Sequence, residues 1–261
     1  MAFVTFSLIF CSPKFRGKLV RPPFEFAVWF LISAIVGVAE TPAEISQGTP
    51  SAEFKSSTEQ PDTEYTTGTD LVEAVRQALA NVRETSYQHD SQVDASNGIY
   101  RLDCSEFVSL ILERVAPKHY QEIPTEPGRP RPRARMYFRF FDQLKRESRT
   151  GWRPITKLAG VTPGDIFAWE RISTGGRGDT GHVMIVAESP HRNQDGTFRV
   201  RVYDSSEIPH AEDSRPIGTS GVGSGSVLFR VNKDGAPIAF QFNPRSHWHS
   251  EPIAIARLEP M

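Results

Sequence analysis

From residue 69 onward the spacing of apolar residues changes once along the chain. Leu71, Val72, Val75, Ala78, Leu79 and Val82 recur every three or four positions, the stripe of a helix buried on one face, with Thr69 or Asp70 placed to cap it. Phe107, Val108, Leu110, Ile111 and Val115 make a second stripe that Pro117 ends, and ARMYFRFFDQLKRE (134–147) makes a third beyond a Pro/Arg loop at 121–135. After the turn TPGD (162–165) the period shortens to that of strands. IFAW, HVMIVAES and FRVRVYD follow in turn, then SVLFRV and PIAFQF joined by the turn NKDG as a hairpin, and EPIAIARLE adds a last strand. Helices first and antiparallel strands after predict one α+β domain over residues 69–261.

The segment before residue 69 has no such pattern. Residues 40–68 are rich in Ser, Thr, Glu and Pro with isolated apolar residues, which predicts a solvated, disordered linker. Within 1–39, Lys14, Arg16, Lys18 and Arg21 precede the apolar run Phe26–Val38, which ends on small residues at Gly37-Val38-Ala39. That is the basic, apolar and cleavage-site order of a secretory signal. The run of 13 residues is short of the ~20 that span a bilayer, so removal is expected, with retention as a membrane anchor the alternative. The protein is read as exported: periplasmic, envelope-bound or secreted.

Composition adds two constraints. A net charge of −1, falling to −4 once four basic residues and Glu25 leave with the signal, argues against wholesale nucleic-acid binding. Of two cysteines, Cys11 leaves with the signal and Cys104 stays alone. An odd cysteine in an oxidising compartment points to a reactive thiol or an intermolecular bridge, against the plainer reading of a small buried hydrophobe.

Cys104 opens the second helix, with Asp103 as N-cap. Unpaired N–H groups and the positive end of the helix dipole converge there, a position that favours thiolate. A thiolate nucleophile needs a base, and the base an orienting group. Of the seven histidines, His89, His119, His191, His210, His247 and His249 sit mostly in turns or polar loops. His182 follows Gly181 and heads the apolar strand VMIV. Asp204 ends the next strand, where antiparallel pairing would let it hydrogen-bond His182; the plainer reading makes it the first residue of the turn DSSE.

DCSEFVSLIL resembles the D-C-S-G-F-V signature of the NlpC/P60 cysteine peptidases, GVTPGDIFAW their L-x-P-G-D-L-V-F-F strand, and TGHVMIVAES their G-H-V-G-I-Y-L histidine strand. The resemblance covers about 190 residues and rests on those three motifs. It implies a papain-like fold, N-terminal helices packed on an antiparallel sheet, and an amide hydrolase acting on peptidoglycan stem peptides. Residue by residue it implies Cys104 as nucleophile, His182 as base, Asp204 as third member with His210 the fallback, and Tyr87 near substrate and oxyanion, with Tyr100 the weaker match. Cys104 and His182 are expected to lie close to each other and partly exposed in a cleft; a buried Cys104 with His182 more than several ångströms away would sink the idea. Glu106 replaces the family's glycine two residues after the nucleophile, roughly 200° around the helix axis, where it would narrow the groove or oppose an anionic substrate.

Two other readings of function stay open. One is a catalytically silent wall-binding module of the same fold; the other is an amidase or acyltransferase on a non-wall substrate. Arginines 129, 131, 133, 135, 139, 146 and 149 form either a platform for an anionic polymer or a solvated charged face. GTSGVGSGS (218–226) lacks the Lys of a phosphate loop and reads as a flexible loop bordering the cleft. No cofactor or metal is expected: H-E-x-x-H and C-x-x-C are absent, and HWH (247–249) reads as a tail feature.

Overall fold

The computed structural model describes residues 68–147, 149, 151–171 and 181–261. The expected signal or anchor at 1–39 and the linker at 40–68 lie outside the described residues except for Gly68, which opens the first helix. Among the described residues no helix is long and apolar enough to cross a membrane.

The α+β class is as expected. Helix α1 (Gly68–Asn81) buries Leu71, Val72, Ala74, Val75 and Ala78, and Thr69 and Asp70 fall inside its first turn. Three short strands that the apolar pattern does not signal come next: β1 (Glu84–Ser86), β2 (Gln92–Asp94) and β3 (Ile99–Arg101). β3 pairs parallel with β1 and antiparallel with β2, and delivers the chain to Asp103. Helix α2 (Cys104–Val115) then buries one face, Cys104 and Phe107 included, and ends at Ala116 before α3 (Pro117–Gln121). Helix α4 (Ala134–Gln143) presses Ala134, Tyr137, Phe140 and Phe141 inward, and its Tyr137 Oη lies 2.8 Å from Ser109 Oγ of α2.

The remaining strands form one curled antiparallel sheet. They are β4 (Trp152–Pro154), β5 (Ile166–Glu170), β6 (Gly181–Val186), β7 (His191–Arg192), β8 (Phe198–Ser206), β9 (Gly221–Val231), β10 (Pro237–Gln241) and β11 (Ile253–Leu258). Their order is β10-β9-β8-β6-β5-β11-β4, with β7 on β8. Alternation along the strands divides the interior in two. Val183, Ile185, Ile166 and Ala168 pack with Leu71, Cys104, Phe107 and Tyr137 under the helices. Met184, Val186, Phe167, Trp169, Val200 and Val202 pack with Phe229 and Phe240 on the other face. His182 shares its side of β6 with Met184, and Asp204 shares its side of β8 with Val202, so both belong to the face turned away from α2.

Two sequence readings are corrected. β8 does not stop at Asp204 for a turn but runs on through Ser205 and Ser206. The glycine-rich stretch is not a loop from Gly221 onward; it is the first half of β9, buried and paired with β8 from Ser206↔Gly221 to Arg201↔Ser226. The small sheet is stitched to this strand. Val222 N–H donates to Thr85 Oγ1 at 2.7 Å, and a Cβ at Gly221 (φ +106) would lie 2.2 Å from that oxygen.

Candidate active site

Asp103 prepares the start of α2. With extended backbone (φ −87°, ψ 178°), its Oδ1 accepts the Glu106 N–H at 2.9 Å and the Ser105 hydroxyl at 2.8 Å, while Oδ2 lies 3.3 Å from His89 Nδ1. This satisfies one orphan donor of the first turn and fixes the direction in which Cys104 enters the helix. Cys104 lines a cleft lobe with Tyr87, His89, Asp103, Glu106, Arg131 and Gly181. Cys104 and His182 are both more enclosed than expected, at 3% and 7% exposure: Cys104 also belongs to the core beneath the helices with Phe107 and Val108, and His182 lies on the opposite face of the sheet.

His182 lines the adjoining lobe with Trp169, Glu207, Phe242, His249 and Glu251. Tyr87 and Gly181 belong to both lobes, so the head of β6 is the wall that the cysteine side and the histidine side share. The HWH segment is not a tail feature. His249 bridges backbone to backbone with Phe240, stacks on its ring at 5.0 Å and helps close this lobe.

The structure brings His182 and Asp204 together: His182 Nε2 lies 2.6 Å from Asp204 Oδ2, both groups being buried. Asp204 has further partners that the sequence did not assign to it. His210 Nε2 stands 2.8 Å from the same Oδ2, so the two candidates for third member form one cluster. Arg215, 3% exposed along its side chain, donates to Asp204 Oδ1 and, at 2.8 Å, to Asp213 Oδ2. Burial pushes the Asp204 carboxyl up, but the charges of His210 and Arg215 and the hydrogen bonds from His182 and His210 hold it well below its ordinary value.

His182, Asp204 and His210 are also the group of three potential metal ligands among the described residues. Their spacing is that of hydrogen bonds: 2.6 and 2.8 Å from nitrogen to oxygen, against the roughly 3.3 Å that separates neighbouring ligands around a tetrahedral zinc ion. A buried guanidinium on the same carboxylate further disfavours a dication there.

The arginine run is largely matched by carboxylates. Arg131 pairs with Glu106 at 2.8 Å and with Glu113 at 2.5 Å, Arg133 and Arg135 both pair with Glu126, and Arg139 pairs with Glu170. Arg146 and Arg149 pair with Asp142 and Glu147. Arg129, exposed at the Cys104 lobe, has no carboxylate partner among the described residues. Glu106 also lines that lobe; burial, then Asp103 and Glu113, push its carboxyl up against the pull of Arg131. Of the two tyrosines, Tyr87 is half-buried in the cleft and its N–H donates to Ser220 Oγ at 3.1 Å, whereas Tyr100 is buried in β3 with the core under the helices.

No family model, curated protein or solved structure matches this chain.

Proposed function

We propose that the protein is a cysteine hydrolase that cleaves amide bonds, with Cys104 as nucleophile, His182 as general base and acid, and Asp204 as the group that orients His182. One observation carries the reading: His182 is held on a buried carboxylate at the head of β6, and Tyr87 and Gly181 line both its lobe and the lobe of Cys104. Because His182 starts from the sheet face away from α2, the reading requires its ring to reach Cys104 around the head of β6. Asp204 occupies Nε2, which leaves Nδ1 as the ring nitrogen for proton transfer.

Each step follows from these parts. His182 takes the thiol proton and sulfur attacks the amide carbonyl, forming a carbon–sulfur bond while N–H groups of the first turn of α2 stabilise the oxyanion. His182 gives its proton to the amide nitrogen, the carbon–nitrogen bond breaks and the amine leaves. Water, losing a proton to His182, then attacks the thioester and releases carboxylate and thiol. The charged Asp204 stabilises the imidazolium formed midway.

For substrate we propose peptidoglycan stem peptides and an exported site of action, on the resemblance of the three motifs to NlpC/P60 peptidases. Residues 1–39 then serve as signal or anchor. A second reading, the silent wall-binding module, draws on the enclosure of Cys104 and on Glu106 beside it.

Incubation of the full chain, wild type and Cys104→Ala, with peptidoglycan and mass spectrometry of the released fragments separates these readings. Peptide-bond cleavage by the wild type alone supports the hydrolase and names the bond. No release, with Cys104 still alkylated faster than a simple thiol, moves the chemistry to a non-wall amide or to acyl transfer. No release and an inert Cys104 favour the binding module.

A further inference from the structure

Behind the His182–Asp204 pair lies a second histidine that the mechanism above does not use. His210 Nε2 is 2.8 Å from Asp204 Oδ2, and His210 Nδ1 is 3.1 Å from the carbonyl oxygen of Ile208. A carbonyl only accepts hydrogen bonds, and so does an ionised carboxylate. Both ring nitrogens of His210 therefore donate, which requires a proton on each. We infer that His210 is a buried imidazolium and a positioning residue, one that balances Asp204 so that His182 rests neutral with Nδ1 available as a base. The inference deepens the hydrolase reading and rests on it.

The charges around the cluster close without His182. From β8 comes Asp204; from the loop after it come Asp213 and Arg215, with His210 itself; from β6 comes His182. Among the groups bonded to the cluster, two carboxylates face two cations, Arg215 and His210, before His182 is counted; on its other side His182 faces Arg171, Glu207, His249 and Glu251 across its pocket. Asp213 also accepts the backbone N–H of His210 at 2.7 Å and that of Arg215 at 2.8 Å, and Arg215 donates to the Gly221 carbonyl at 2.7 Å. On the remaining sides His210 meets the stacked ring of Phe242 at 5.3 Å and the glycine face of β9. Were His210 neutral, Asp204 and Asp213 would outweigh Arg215 by one charge, and His182 would keep an extra proton to make up the difference. A histidine already protonated cannot take the thiol proton.

The fold reserves space for this arrangement. A Cβ at Gly225 would stand 2.4 Å from His210 Cβ, and one at Gly223 would stand 2.6 Å from Arg215 Cγ, so only glycine at both positions lets the two cations lie flat on the strand. The glycines that read as a loop in the sequence are the floor of the charge cluster.

The test is nuclear magnetic resonance of histidine side chains, labelled with ¹⁵N and ¹³C, in the full chain. Ring nitrogen shifts of His210 at pH 7 are expected to show both nitrogens protonated. His210→Gln keeps an N–H for Asp204 but removes the charge, and is expected to raise the midpoint at which His182 titrates. Arg215→Gln removes the other cation and is expected to move the midpoint the same way, which covers the case in which His210→Gln fails to fold. A purely structural His210 would change stability without moving that midpoint. A neutral His210 at pH 7, or a His182 midpoint unmoved in a folded variant, would overturn the inference. Failure of the hydrolase reading shows elsewhere: His182→Ala would then leave the alkylation rate of Cys104 by iodoacetamide, located by peptide mapping, unchanged at every pH, whatever His210 does.

Discussion

Gly223 lies directly opposite Asp204 in the β8–β9 pairing, and that bare position is what admits the Arg215 guanidinium to the buried carboxylate. Gly223→Ala and Gly225→Ala are each expected to cost about 1–3 kcal/mol, the usual price of overpacking a tight interior. Gly160→Ala, whose new Cβ would meet nothing closer than 4.0 Å, is expected to leave stability nearly unchanged. Urea unfolding of the three variants checks this ordering, and equal stability of all three would remove the packing argument.

Asp204 also makes a prediction about acid. Its carboxyl titrates below the ordinary 3.8 in the folded protein, against the push of burial, so between the two values the unfolded chain binds more protons. Stability from Asp204 is therefore complete above about pH 4 and is lost as pH falls through the folded value. Asp204→Asn is expected to lower stability at pH 7 and to flatten the acid limb. The difference between the two unfolding curves against pH isolates Asp204 from the other depressed carboxyls, and parallel curves would contradict the assignment.

Asp103 acts one residue before the thiol. Asp103→Ala is expected to destabilise the protein by about 1 kcal/mol through the lost cap and to slow alkylation of Cys104. Asp103→Ser, which can still accept the Glu106 N–H, is expected to recover most of the stability. Thermal unfolding alongside iodoacetamide kinetics reads both effects.

Glu106 places a carboxylate in the lobe of the nucleophile, with Arg131 2.8 Å away. Glu106→Gln is expected to favour anionic reagents. The ratio of Cys104 alkylation by iodoacetate to that by iodoacetamide should rise about fivefold, corresponding to roughly 1 kcal/mol of relieved repulsion. An unchanged ratio would mean that Glu106 does not govern access by charge.

The parts of this site legible in the sequence are those written in local chemistry. An acid before an apolar stripe announces the capped start of α2, and a histidine heading a short, continuous apolar run announces β6. The illegible parts depend on partners distant in the chain. Three-residue polar strands such as Glu84–Ser86 exist because β3 and β9 hold them, not because their own residues favour strands. Gly221–Ser226 carries the composition of a loop, yet tertiary demand for bare backbone under His210 and Arg215 makes it strand. Arg215 itself has no pattern to give it away, since its role is set by a carboxylate eleven residues earlier.

The most direct test of the central claim is to trap the acyl-enzyme. The full chain would be mixed with p-nitrophenyl acetate, quenched in acid and read by intact mass and peptide mapping. The expected result is one acetyl group on Cys104, removed by hydroxylamine, absent in Cys104→Ala and formed at least about a hundredfold more slowly in His182→Ala. An acetyl group arriving on Cys104 at the same rate without His182, or none arriving there at all, would contradict the account.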